Sequence, residues 1–514
     1  MIDLILVDGN VLTQDPRRPR TEAVAVGGGR VRAVGDSERL LALKTSKTRV
    51  LSLSGQTLAP GFIDAHLHLR ALAESLVTAG LGPDHGVASL ADLKARIRAE
   101  AQALPAGAWI RAGGYDENDL AEQRPPNRWD LDEAAPNHPV KLTHRSGHAH
   151  ALNSLALRLV GLSKDSPEPE GGLMERDWDT AEPNGLLYGL GDFLSRRVPP
   201  LTKDELGRGV SLAGRLLASL GVTSFQDASP RNDLSRWQDL ERWLDEGRLA
   251  SRVTMMLGPA GWKAWRADRF ESRLSDNRLR AQGVKIVIDE TTGRLNPDQE
   301  TLNRIVADVH NHSGQAVLHA IEPAAIEAAC RAVAETRQQL PRRPDPRHRL
   351  EHCSVCPPDL AARIASLGLT VATHPAFIYY NGDRYLKTVP PEDQAHLYPL
   401  AGLAAAGVGL AAASDAPIVP PNPLAGLYAA VTRRTRSGAE LAPHQAVSAA
   451  DALRMYTMGA AHAAFEEKIK GVLAPGRLAD LVVFSADPTQ TPAEDLESVR
   501  VTMTMVGGEV VYAA

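Results

Sequence analysis

Three cysteines in 514 residues are too few for a disulfide framework, and they suit a reducing, cytoplasmic setting. Cys353 and Cys356 form a C-x-x-C pair, but a zinc ribbon needs a second such pair, and only Cys330 remains. These thiols therefore read as buried packing residues. Aromatics make up only 4% of the chain, and its net charge of −5 gives no basic, aromatic-studded face for nucleic acid. No phosphate-cradling loop is present, and "GGGR" at 27–30 reads as a hairpin turn. No apolar run approaches the roughly 20 residues of a membrane span. The opening "MIDLILVDGN" lacks the basic segment of a signal peptide. With 43% hydrophobic and 23% charged residues, the composition is that of an ordinary globular protein of cytoplasmic type.

What is present is a long alternation of two kinds of segment. "FIDAHLH", "GVTSFQDA", "RVTMMLG", "GVKIVIDE", "QAVLHAI", "RLEHC", "LTVATHP" and "VGLAAASDA" are short apolar runs rich in β-branched or small residues. Helix-like stretches separate several of them, over 203–220, 299–313, 323–338 and 357–367. Eight strands alternating with helices predict an α/β fold, a (β/α)8 TIM barrel spanning 58–467. The count closes only if about 80–200 is a large insertion after strand 1. Residues 1–57 and 468–514 carry β-rich runs broken by glycine turns, and predict a small β-sandwich domain formed by both termini.

The chemistry gathers at the ends of these strands. In "GFIDAHLHLR", Asp64, His66 and His68 share one face of a strand, because residues i and i+2 point the same way. An isolated His-x-His is equally a strand with one polar face; the remaining strand ends decide. They carry Lys285, Asp289, His319, His352, His374 and Asp415. Barrel active sites lie at the carboxyl ends of the strands, and imidazoles with carboxylates suit one or two divalent cations. Zinc is the first expectation, with manganese or iron as alternatives.

These motifs, together with "LEHC", "SDAP", "GYDENDL", "HRSGHAHALNS", "GGLMERD" and "GVLAPGRLADLVVF", resemble the amidohydrolase superfamily over nearly the whole chain. Within it they are similar to the YtcJ-like (amidohydrolase-3) group, which includes N-substituted formamide deformylases. The resemblance implies a metal-dependent hydrolase acting on carbon–nitrogen bonds other than peptide bonds. It implies that His66, His68 and Asp415 bind one metal, that His319 and His352 bind a second, and that Lys285 bridges them as a carboxylated lysine. An unmodified Lys285 would instead pair with a carboxylate such as Asp289. Asp415 has a further role, as the general base that takes a proton from metal-activated water and returns it to the leaving amine. Its alternative is to cap the following helix.

Substrate contacts are expected from His374, for which metal ligation and packing are the alternatives, from Asp289 and, within the insertion, from Arg145 and His148. His374 departs from the resemblance, which has glutamine before this proline, and Asp289-Glu290 stands where the related pattern has Asp-Gly. His150 could reach the substrate as Arg145 could, Tyr115 and Arg176 are weaker candidates, and Trp262, Trp265, Met255 and Met256 read as packing or pocket walls. The expected substrate is a small molecule: an N-formyl or N-acyl amine, a carbamate or a cyclic amide. An esterase or lactonase would use the same site, and a non-catalytic metal-binding scaffold is the rival of a different class. No nucleic acid or membrane partner is expected, and a homodimer is the generic expectation for an oligomer.

Overall fold

The computed structural model describes residues 1–169, 171–267, 277–290 and 293–514, which fall into two compact units. The first comprises Met1–His68 and Gly214–Ala514. Its centre is an eight-stranded parallel sheet whose strands neighbour one another in sequence order. They are β1 (Phe62–Leu67), β2 (Val222–Asp227), β3 (Arg252–Leu257), β4 (Leu279–Val287), β5 (Ala316–Ala320), β6 (Arg349–His352), β7 (Thr370–Thr373) and β8 (Gly409–Ala412). These are the eight runs read as strands. Such a sheet, nearly closed, is a TIM-barrel α/β fold.

The ring is drawn together where the chain leaves its first and last strands. Asp415 N donates to His66 O at 2.7 Å, and His68 N donates to Ala416 O at 2.9 Å. Ser414 N donates to Asp64 Oδ1 at 3.1 Å. Closure thus runs directly through the residues that carry the candidate chemistry.

The helices follow their sequence signals. Lys203–Ser219, Gln299–Asn311, Pro323–Gln339 and Pro358–Ser366 match the helical stretches read from the sequence. Asp298 caps the second of these by accepting from Thr301 N, and Pro323 and Pro358 occupy first-turn positions where no N–H is needed. Val284, Ile286, Leu318, Leu350 and Val371 of β4–β7 pack in one buried cluster with Leu302, Val306, Ile326, Val333 and Ile364 of the helices. Each such side chain contributes about 1.5–3 kcal/mol on burial. Lys285, Arg349 and Glu351 alternate with these apolar positions, so they lie on the opposite face of their strands, yet they too are buried.

Two further sheets belong to this unit. One holds Leu4–Val7, Ala23–Gly27, Arg30–Gly35 and Arg49–Ser52. The other joins Asn10–Leu12, Arg20–Thr21 and Thr57–Pro60 to Leu481–Phe484, Val501–Val506 and Glu509–Ala513. Leu6, Val24 and Val26 of the first share a buried cluster with Leu58, Leu481 and Val483 of the second.

The second unit, Leu69–Ala213, begins directly after His68 and is wider than the 80–200 span suggested by composition. Its six-stranded mixed sheet is built from Ala79–Gly80, Ile110–Tyr115, Val140–His144, Ala149–Leu152, Leu173–Arg176 and Pro183–Tyr188. Leu93, Ile97, Leu131, Val140 and Leu142 lie in its core. Among the described residues, no helix is long and apolar enough to cross a membrane.

Candidate metal centre

β1 delivers His66 and His68 from one face of one strand, and Asp415 arrives just beyond β8. Asp415 Oδ1 lies 3.0 Å from His68 Nε2 and 3.4 Å from His66 Nε2. These three residues each offer a ligand atom within 4.8 Å of the others. Asp415 has φ +59°, a left-handed conformation that an aspartate tolerates better than most residues.

The orientation of His66 is set from behind. Its Nδ1 bonds to Glu351 Oε2. Arg349 holds both oxygens of that carboxylate, donating from Nε to Oε1 at 2.5 Å and from its NH2 nitrogen to Oε2 at 2.9 Å. The same guanidinium reaches Gln226 Oε1 at 2.5 Å and Ala65 O at 2.8 Å. With Nδ1 engaged, Nε2 is the free face, turned toward Asp415 and Lys285. His68 is arranged likewise, with Nδ1 3.3 Å from Ser229 Oγ and Nε2 toward Asp415. A carboxylate behind a histidine is the usual support for a metal-ligating imidazole.

The electrostatics keep these donors in ligating form. Burial, reinforced by the Lys285 ammonium, holds His66 well below the ordinary histidine value, so its ring is neutral near pH 7. Burial would raise Glu351, but Arg349 and His66 outweigh it and hold the carboxyl well below its usual range. Asp415 is also lowered, because His66 and His68 overcome its burial. Lys285 Nζ stands 3.3 Å from His66 Nε2, and burial lowers its ammonium to about 8. The Glu351, Asp415 and Asp227 carboxylates act against that lowering. The backbone of Asp289 pairs with that of Asn296.

His319 and His352 meet from adjacent strands, their ring centroids 4.3 Å apart. His352 also lies 5.1 Å from the His66 ring, on a backbone with φ +69°. That left-handed residue breaks the strand alternation, which lets neighbouring Glu351 and His352 both approach His66. His374 is fully buried, 4.5 Å from the His352 ring and 5.3 Å from the His66 ring. The structure therefore brings together six of the expected site residues, His66, His68, Lys285, His352, His374 and Asp415, with His319 beside His352.

Arg145 and His148 belong to the second unit. Arg145 lies 3.6 Å from Asp116, while His148 is exposed in the turn between Val140–His144 and Ala149–Leu152. In that unit Asp116, Glu117 and His144 form a further group of possible ligands. His150 is buried, bonds Thr143 Oγ1 at 3.3 Å, and is lowered to about 3 by burial. Arg176 is used on backbone carbonyls of Lys164, Ser166 and Ala181.

Sequence reasoning overlooked Glu351, Arg349, Gln226 and Ser229. The available signal was the run "RLEH", where two charges alternate with a leucine in a strand otherwise surrounded by apolar sequence. Charged residues at interior barrel positions need paired partners.

A divalent cation fits this donor set. His352 Nε2 and both nitrogens of His374 are buried without a hydrogen bond of ordinary geometry, which is costly unless something accepts their lone pairs. Neutral imidazoles, one of them backed by a carboxylate at His66, and an ionised carboxylate are the ligands zinc and similar ions take.

An eight-stranded parallel barrel with imidazoles and a carboxylate at the carboxyl ends of its strands defines the class of metal-dependent barrel hydrolases. The chain belongs to the amidohydrolase family, metal-dependent hydrolases of carbon–nitrogen bonds, whose family model matches residues 49–512. It is 30% identical to the N-substituted formamide deformylase of Arthrobacter pascens, over 100% of this chain and 98% of that one. It is 27% identical to the YtcJ protein of Bacillus subtilis (strain 168), over 98% of each chain. The crystal structure of an uncharacterized metal-dependent hydrolase from Pyrococcus horikoshii has the same fold, with TM-score 0.76, 24% identity, and 96% of this chain and 99% of that one covered.

Proposed function

We propose that the protein hydrolyses a non-peptide carbon–nitrogen bond in a small molecule, with an N-formyl or other N-acyl amine as the leading class and carbamates or cyclic amides next. The observation that carries this reading is the position of Asp415, 3.0 Å from His68 Nε2 and 3.4 Å from His66 Nε2. In this reading His66, His68 and Asp415 would hold one cation, His319 and His352 a second, and a carboxylated Lys285 would serve both. A cation bound there supplies Lewis acidity, acidifying a water and polarising the scissile carbonyl.

The side chains do the rest. Asp415 is ionised and within reach of the ligating nitrogens, so it can accept the proton released as water attacks. The same carboxyl then returns that proton to the departing amine nitrogen, which would otherwise leave as an unstable anion. Glu351 and Arg349 keep the His66 ring fixed while charge at the site changes. The N-formyl class is placed first because the Arthrobacter relative is named a formamide deformylase.

The test is amine release by zinc- or manganese-loaded protein from a panel of N-formyl, N-acetyl and longer N-acyl amines, carbamates and cyclic amides, with aryl esters alongside. Release by wild type but not by His66→Ala is expected. Cleavage of esters alone would replace this reading with an esterase, and silence from metal-replete protein would count against both.

A further inference from the structure

His374 has a burial pattern that packing does not account for. Its side chain is fully enclosed, and neither ring nitrogen makes a hydrogen bond of ordinary geometry, the Ala413 main chain offering only a weak interaction. An imidazole held there purely as filler carries the desolvation cost of two polar atoms with little in return. An apolar ring would serve better, since one face already stacks on Phe377, centroids 4.9 Å apart and 27° between planes. These nitrogens are not isolated, however. His66, His352 and His374 each offer a ligand atom within 4.8 Å of the others, and His352 Nε2 is equally without such a bond.

We infer that His374 is itself a metal ligand, forming with His66 and His352 a three-imidazole pocket for a divalent cation at the mouth of the barrel. The inference rests on the metal-binding reading above but regroups it: His66 and His352, given there to separate cations, here share one with His374 from the end of β7, a strand that reading does not use. Three nitrogens converging from β1, β6 and β7 leave part of a tetrahedral shell open for water or substrate, the arrangement of a catalytic rather than a structural site. All-imidazole coordination also gives this position a shell that needs no modified lysine. Zinc, nickel, copper and iron suit such ligands better than magnesium or calcium.

Two measurements test this. Crystals of the full chain grown with zinc would be mapped by anomalous scattering at the zinc edge. A His374 nitrogen about 2.0–2.1 Å from the ion is expected; a nitrogen lying beyond hydrogen-bond range of every bound ion overturns the inference.

In solution, zinc affinity would be measured by chelator competition for wild type, His374→Phe and His66→Ala. Phenylalanine keeps the stack on Phe377 and removes both nitrogens. Zinc affinity should fall at least about tenfold, while the metal-free variant melts no lower than wild type, because two unsatisfied polar atoms are gone. Unchanged affinity in His374→Phe with loss in His66→Ala removes His374 from the ligand set but leaves the metal site standing. Unchanged affinity in both removes the metal reading as well. Should His374→Phe fail to fold, the anomalous map on the wild type still decides.

Discussion

Glu351 holds His66 by its Nδ1, so that the opposite nitrogen of the ring faces Asp415 and Lys285. One carboxylate thus fixes both the tautomer and the direction of a candidate ligand. It is in turn gripped at both oxygens by Arg349, and all three side chains are buried. Glu351→Gln should lower metal affinity about 10–100-fold, the usual effect of losing such a support. It also strands the Arg349 charge in the interior, which should cost about 3–5 kcal/mol in the metal-free protein. Chelator competition and urea denaturation check the two effects separately. Wild-type affinity in the variant would show that Glu351 neutralises Arg349 and does nothing for His66.

Asp415→Asn separates chemistry from fold. Asparagine is nearly isosteric and shares with aspartate the ability to occupy the left-handed backbone found at this position, φ +59°. The main-chain bond to His66 O, 2.7 Å, is unaffected by the change. The melting temperature should therefore stay near wild type, whereas kcat should fall about 10²–10⁴-fold with loss of the proton acceptor. Near-normal kcat would take Asp415 out of the proposed mechanism.

Much of this centre was legible from spacing. The alternation in β1 puts Asp64, His66 and His68 on one face, and in the structure all three look toward β8, through Ser414 N or Asp415. The eight runs became eight strands because apolar alternation and helix signals agreed throughout. Glu351 was not legible for a specific reason: strand alternation sends Glu351 and His352 to opposite faces. The left-handed backbone at His352 and Cys353, φ +69° and +52°, cancels that rule, and no glycine marks the place. His374 gave a similar difficulty. A histidine at a strand end reads as substrate contact, ligand or packing alike, and its buried nitrogens, without a hydrogen bond of ordinary geometry, favour the ligand. Spacing alone leaves Lys285 either a carbamate or a carboxylate's partner; in the structure its Nζ stands 3.3 Å from His66 Nε2, among the candidate ligands.

The titration of Lys285 yields a pH prediction. Burial lowers its folded-state value to about 8 from the ordinary 10.5. Between those limits the unfolded chain binds the extra proton, so metal-free stability should rise as pH climbs from about 8 to 10.5, and that gain is lost as pH falls back to 8. The neutral amine is also the form that attacks carbon dioxide. Carboxylation in bicarbonate should increase over the approach to pH 8 and be retained above it. Native intact mass would show the gain of one carbon dioxide in wild type and none in Lys285→Met. An unmodified mass across this range would reject the carbamate while leaving the histidine ligands untouched.

The approach of β1 to β2 supplies a prediction that tests how far the frame holds the ligands. Gly61 precedes β1 directly, and a Cβ there would fall 2.2 Å from the Thr223 Cγ2 and Oγ1 atoms. Thr223 is buried and itself donates to Phe62 O at 3.3 Å, so it has little room to retreat. Gly61→Ala should therefore push β1 away from β2 and cost about 1–3 kcal/mol, the range for overpacking a filled interior. Because β1 carries His66 and His68, metal affinity should fall with stability rather than independently of it. Thr223→Ala removes the two closest atoms but leaves its Cβ at 2.7 Å, so the double variant should recover only part of the loss. Additive losses in that double-mutant cycle, with no recovery, would mean that the strain is absorbed elsewhere along the strand and that the His66–His68 pair is not held by this contact.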